Sequence, residues 1–139
     1  MSENSKKILV VDDQEHILEI VSTLLVSHGY EVMEASSYDQ ALEQIDTQKP
    51  DLAILDYLLP ERNGGDLLAA IHAKPGFEDV PIVFLTGLAI DNADAPSQIK
   101  AFNEFYDALS KPINNDLLLR IVTEKTLSLI HISEPTRPY

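Results

Sequence analysis

The sequence contains no cysteine, so it can build neither a disulfide framework nor a cysteine-based zinc site, and a reducing cytoplasm is a compatible setting. It has no apolar run approaching the roughly 18 residues of a membrane span. The amino-terminal Met1-Ser-Glu-Asn-Ser-Lys-Lys7 leads into only Ile8 to Val11 before Asp12, which is too short for a secretory signal. Basic residues are scarce: 10 Lys and Arg against 23 Asp and Glu leave a formal net charge of −13. That balance argues against direct nucleic-acid binding, because phosphate contacts need clustered Lys and Arg. A glycine-rich phosphate loop is also missing after the first apolar stretch, where Asp12-Asp13-Gln14-Glu15 would repel a phosphate. His16, His28, His72 and His131 fall at no metal-ligand spacing. With no repeat or low-complexity tract, the 139 residues fit one acidic domain large enough to bury a single core.

Hydrophobic periodicity divides that domain into alternating strands and helices. Lys7 to Val11 reads as a buried strand ended by Asp12-Asp13. Ile17, Ile20, Val21, Leu24 and Leu25 then fall on one face of a helix that stops at Gly29. Tyr30 to Ala35 alternates like an edge strand, and Tyr38, Ala41, Leu42 and Ile45 mark a second helix ending before Lys49-Pro50. Leu52 to Leu55 is a short apolar run of the kind found in strands covered on both faces. It ends in Asp56 and the turn at Pro60. After an Asn63-Gly64-Gly65 turn, Leu67, Leu68 and Ile71 predict a third helix that Pro75-Gly76 ends. Val80 to Leu85 predicts a fourth strand stopping at Thr86-Gly87. Pro96 is placed to open a helix capped by Asp94, Phe105 to Leu109 predicts a last strand, and a final helix starts near Asn115. Five strands alternating with five helices make a doubly wound α/β sheet with right-handed connections.

In such a sheet the strand carboxyl ends border the ligand crevice, and here they carry the chemistry. The first strand delivers Asp12 and Asp13, the third Asp56, the fourth Thr86 and the fifth Lys111. Each residue alone has a structural explanation, as helix cap, turn residue or surface lysine. Together the three carboxylates repel one another, and a hard divalent cation relieves that field. An oxygen-only donor set that leaves room for water suits Mg2+ better than zinc. Lys111 adds a positive charge and Thr86 a hydroxyl donor for phosphoryl oxygens. These residue types describe a site where one carboxylate receives a phosphoryl group.

The same residues resemble the response-regulator receiver domains of two-component signalling. The resemblance is carried by Ile8-Leu-Val-Val-Asp-Asp13, by Pro50-Asp-Leu-Ala-Ile-Leu-Asp-Tyr-Leu-Leu-Pro60 with Gly64, by Pro81-Ile-Val-Phe-Leu-Thr86 and by Leu109-Ser-Lys-Pro112. It implies a three-layer flavodoxin-like (βα)5 fold with a five-stranded parallel sheet in the order 2-1-3-4-5. It implies that Asp56 is the phospho-acceptor, that Asp13 and Asp56 ligate Mg2+ with Asp12 assisting through water, and that the Leu58 backbone carbonyl completes the protein's share of the metal shell. Thr86 and Lys111 would bind phosphoryl oxygens, and the Lys111-Pro112 bond would be cis. The implied partners are a sensor histidine kinase or histidine phosphotransfer protein, and a homodimer through the fourth-helix, fifth-strand and fifth-helix face is among those the resemblance allows. The domain would be cytoplasmic and bacterial, would contact no membrane, and would catalyse only its own phosphorylation and dephosphorylation.

Some positions depart from the family pattern. Ala108 stands where an aromatic usually precedes the lysine by three residues, with Tyr106 two residues earlier, and the Thr86-to-Lys111 stretch is longer than usual. Leu58 and Leu88 are apolar at positions that in the family influence water access, which implies slow dephosphorylation. A haloacid-dehalogenase-type hydrolase would need an aspartate at position 58. A pseudo-receiver that only binds a partner is the alternative reading, against which the intact acid pocket stands. The resemblance covers about residues 6 to 126, and residues 1–126 are expected to be the receiver domain. Residues 127–139 resemble the translation of a sequencing-library adapter, and Pro135 bars the last helix, so that segment is expected to be a non-native tail, disordered or loosely packed. On that reading a carboxyl-terminal output region is missing.

Overall fold

Short β-rich apolar runs separated by amphipathic segments fold here into alternating strands and helices, seen in a computed structural model that describes residues 6–59, 62–86, 107–110 and 114–131. In chain order these are β1 (Lys7–Val11), α1 (Glu15–Ser27), β2 (Glu31–Ala35), α2 (Tyr38–Thr47), β3 (Leu52–Asp56), α3 (Gly64–Ala73), β4 (Ile82–Thr86), β5 (Asp107–Ser110) and a final helix, α4 (Asn115–His131). The helix expected between β4 and β5, with Asp94 as its cap, lies outside the described residues. The backbone of α4 runs past Thr126 to His131.

All strand pairs are parallel, and the order is β2-β1-β3-β4-β5. The flavodoxin-like fold and its strand order are therefore as the sequence implies. Because side chains alternate along a strand, β1 sends Leu9 and Val11 to one face and Ile8 and Val10 to the other. The first face, with Ala53, Leu55 and Phe84, is covered by Ala41 and Ile45 of α2 and by Leu67 and Ile71 of α3. The second, with Leu52, Ile54, Val83 and Leu85, is covered by Val21 and Leu25 of α1 and by Leu118 and Val122 of α4. The whole of β3 is buried, and each of its large apolar side chains contributes roughly 1.5–3 kcal/mol by leaving water. This central strand is thus a rigid mount for whatever stands at its end.

The inner face of α1 differs from the periodic expectation. Ile17, Val21 and Leu25 are buried as expected, but Leu18 and Ser22 are buried with them, while Ile20 is 46% exposed. Leu18 joins Ile17, Val21 and Leu25 in the cluster formed with Ile8, Val10 and Ile54 of the sheet. Gly29, with φ 92°, ends the helix in the left-handed conformation that favours glycine. The Gly29 and Tyr30 N–H groups donate to the carbonyls of Val26 and Leu25. Ser37 caps α2 through its Oγ, which accepts the Gln40 N–H at 3.1 Å. Strand β4 begins at Ile82 rather than at Val80, and β5 is shifted to Asp107–Ser110.

Candidate functional site

Two neighbouring strand ends create the site. Val11 pairs with Leu55 in the parallel β1–β3 register, so the next residues, Asp12 and Asp56, stand level at the carboxyl edge. The Asp12 N–H donates to the Ala35 carbonyl at 3.1 Å, which extends the tie from β1 to β2 by one residue. Its Oδ1 accepts the Gln14 N–H at 2.9 Å and turns the chain into α1. Asp12 is fully buried, Asp56 is 3% exposed, and Asp13 is exposed. One carboxylate oxygen from each of Asp12, Asp13 and Asp56 lies within 4.8 Å of the others. The structure therefore brings together the three acids that the sequence singles out.

Asp56 is held from the β3–α3 side as well. Its Oδ1 accepts the Leu58 N–H at 3.2 Å. The adjoining Tyr57 N–H donates to the Leu85 carbonyl at 3.2 Å, and the Gly64 N–H donates to the Tyr57 carbonyl at 2.7 Å. Leu58 and Asn63 form an antiparallel bridge that closes the loop. Asn63 caps α3 and shares a reciprocal capping box with Asp66: the Asp66 N–H donates to Asn63 Oδ1 at 2.8 Å, and the Asn63 N–H donates to Asp66 Oδ2 at 3.3 Å. The expected Asn63-Gly64-Gly65 turn is thus the cap and first turn of α3. The Asn63-to-Asp66 spacing was the signal for it.

Gly64 has a role that the sequence pattern does not reveal. A Cβ at this position would lie 2.9 Å from the Asp56 carbonyl oxygen, 2.9 Å from Tyr57 Cα and 3.0 Å from Phe84 Cε1. Only glycine lets the start of α3 approach the acid-bearing strand so closely. Tyr57 is buried and meets Phe84 edge to face, with ring centroids 5.8 Å apart at 75°. Burial first, and the Asp66 charge second, raise its phenol above the usual 10.0. On the loop's outer side the Arg62 guanidinium lies over the Tyr38 ring, 4.7 Å from its centroid.

Thr86 is the last residue of β4, and the pairing of Asp56 with Leu85 puts its backbone one residue beyond the level of Asp56. Thr86 pairs with Ser110, the last residue of β5. Lys111 follows directly in sequence and lies outside the described residues, as does Leu88.

The oxygen-only donor set of Asp12, Asp13 and Asp56 fits a hard divalent cation. Two acids anchored on buried strand ends supply charge, and the exposed Asp13 leaves a side open to water and substrate oxygens. A doubly wound parallel sheet with such a pocket beyond β1 and β3 defines a receiver-type signalling domain. Residues 8–123 match the family model for the response regulator receiver domain, and the chain belongs to that family. It is 47% identical over 82 residues to the alkaline phosphatase synthesis transcriptional regulatory protein PhoP of Bacillus subtilis, covering 59% of this chain and 33% of PhoP. It is 30% identical over 122 residues to the CAI-1 autoinducer sensor kinase/phosphatase CqsS of Vibrio cholerae, covering 87% of this chain and 17% of CqsS. The chain thus spans a third or less of these relatives. Among solved structures, the CheY-like response regulator receiver domain protein of Methanospirillum hungatei JF-1 matches with a TM-score of 0.75 and 32% identity, over 90% of this chain and 96% of that one.

Proposed function

We propose that this receiver domain accepts a phosphoryl group on Asp56 from a phosphohistidine of a sensor kinase or histidine phosphotransfer protein, in a Mg2+-dependent reaction. The observation that supports this most strongly is the convergence of Asp12 and Asp13 on Asp56, with their carboxylate oxygens within 4.8 Å. An isolated strand-end aspartate needs no such company. Asp12, Asp13, Asp56 and the Leu58 carbonyl would hold the ion. Bound there, Mg2+ supplies charge neutralisation for the transferring phosphoryl oxygens.

The chain's own residues do the rest. Burial among β-strand ends restricts the Asp56 side chain, and the Leu58 N–H donates to its Oδ1; held in this way, the Asp56 carboxylate would attack phosphorus in line. An oxygen–phosphorus bond forms as the nitrogen–phosphorus bond breaks, and the imidazole leaves with its electron pair. Lys111 would neutralise a phosphoryl oxygen and Thr86 would donate to another. The resulting acyl phosphate adds charge where the three acids already meet. Thr86 is the residue through which that change would pass to the segment beyond β4. In this reading the domain works in the cytoplasm and switches partner or output interactions.

Incubation with acetyl phosphate, with and without Mg2+, followed by intact mass, tests the proposal. One added phosphoryl mass is expected on the wild type only when Mg2+ is present, and none on Asp56→Asn. A wild type that gains no mass would leave a domain that acts only by binding.

A further inference from the structure

The stacking of Arg62 on Tyr38 joins the segment that follows β3 to the start of α2. Arg62 is the one Lys or Arg between Lys49 and Lys74, and among the described residues its guanidinium enters no ion pair. It lies instead 4.7 Å from the centroid of the Tyr38 ring. This is the shortest cation–ring contact among the described residues; Lys49 and Lys74 stand 5.9 and 5.6 Å from the centroid of Phe77.

The Tyr38 ring is a firm support. Ser37 caps α2, so Tyr38 is the first residue of the helix, three residues beyond the end of β2 at the carboxyl edge of the sheet. Tyr38, Ala41 and Ile45 have the i, i+3 and i+7 spacing of one helix face. Ala41 and Ile45 are buried, and the partly buried Tyr38 packs against the same core. Arg62 is exposed, and a side chain of that kind gives up rotamer freedom to stay over a ring.

What the contact restrains is the turn that carries Leu58. Arg62 directly precedes Asn63, which caps α3 and forms the antiparallel bridge with Leu58. The Leu58 N–H donates to Asp56 Oδ1 at 3.2 Å, and its carbonyl is a proposed ligand of the ion. The Leu58 side chain is 50% exposed, so its own burial does little to hold that backbone.

We propose that Arg62 and Tyr38 are positioning residues for the acid pocket: by anchoring this turn to α2 they set the Leu58 N–H and carbonyl in place for Asp56 and the divalent ion. The inference rests on the metal-dependent reading of the pocket. A turn ordered before the ion arrives loses less freedom on binding. An exposed cation–π contact is weak, which caps the gain in affinity at about two- to fivefold.

The test is a Mg2+ titration of the 15N-labelled full chain, with the dissociation constant read from the amide shifts of Asp12, Asp13 and Asp56. Solvent exchange of the Leu58 amide is measured before Mg2+ is added. Arg62→Met keeps the aliphatic stem without the charge, and Tyr38→Leu keeps an apolar contact with the core without the ring face. Each should raise the Mg2+ dissociation constant about two- to fivefold and speed exchange at Leu58. The double variant should be no weaker than the weaker single one, and Tyr38→Phe, which keeps the ring, should bind as the wild type does. Lys74→Met, which removes a cation from the Phe77 ring beyond the far end of α3, should leave the affinity unchanged. Additive losses in the double variant, equal weakening by Lys74→Met, or wild-type affinity in Arg62→Met would overturn the inference and leave the metal site standing. Tighter binding by Arg62→Met would overturn it by showing that the guanidinium competes with the ion for the acids. A wild type whose Asp12, Asp13 and Asp56 amides do not respond to Mg2+ would overturn the metal site and the inference with it.

Discussion

Replacing Gly64 by alanine tests how tightly the acid-bearing strand is coupled to α3. The added methyl would meet the Asp56 carbonyl oxygen and Tyr57 Cα at 2.9 Å and Phe84 Cε1 at 3.0 Å. Two of these atoms are backbone, so no rotamer change relieves them. The Phe84 ring is held on its other side by core packing and by the Tyr57 edge contact. Separating the elements also stretches the 2.7 Å bond from the Gly64 N–H to the Tyr57 carbonyl. Overpacking of this kind costs about 1–3 kcal/mol. Alanine recovers at most about 1 kcal/mol through its helix propensity, and less in a first helical turn. The expected net is a loss of about 1–2 kcal/mol in urea denaturation. Because the displaced atoms belong to residues 56 and 57, Mg2+ affinity and the rate of phosphorylation by acetyl phosphate should fall as well. A Gly64→Ala protein as stable as wild type, with unchanged Mg2+ affinity, would refute this reasoning.

Asn63→Ala removes the side-chain acceptor of the Asp66 N–H in the capping box on α3, keeps the backbone N–H that donates to Asp66, and should cost about 1 kcal/mol by urea denaturation. Asp13→Asn, at the exposed member of the acid cluster, should weaken Mg2+ binding at least about tenfold in a calorimetric titration, with little change in Tm. The raised Tyr57 phenol should ionise above pH 10.0 in an ultraviolet titration. Its neutral form is favoured by the fold, so its stabilising effect is complete below the unfolded value and is lost as pH rises through the folded one. Tyr57→Phe should therefore show a shallower alkaline fall in stability than wild type. Leu58 is half exposed, an apolar side chain two residues from Asp56. Loss of the phosphoryl group is expected over minutes or longer, and a half-life of seconds in a mass time course would contradict this.

Much of this architecture was legible in the sequence because strand burial and helix periodicity leave simple signatures. Leu52 to Leu55 is apolar throughout since β3 is covered on both faces, and the carboxylates follow directly where strands end. The convergence of Asp12 and Asp56 then needs only the parallel register of β1 with β3. Other features depend on tertiary detail that no local pattern encodes. Ile20 satisfies the helical period as well as Leu18 does, and only the docking of α1 on the sheet decides which is buried. Gly64 reads as a turn glycine, and its close approach to β3 emerges only once α3 is docked. The capping box had a visible Asn63-to-Asp66 spacing, but the adjoining glycine pair outweighed it. The buried Ser22 looks in sequence like any polar residue on a helix.

The central claim is that the carboxylate of Asp56, at the end of the buried β3 strand, is the phosphoryl acceptor. Borohydride reduction of the chain after treatment with acetyl phosphate and Mg2+ converts an aspartyl phosphate to homoserine, which tandem mass spectrometry of the digest locates directly. The account predicts homoserine at position 56 and nowhere else. Homoserine at position 12 or 13, or its absence from a chain that has gained phosphoryl mass, would contradict it.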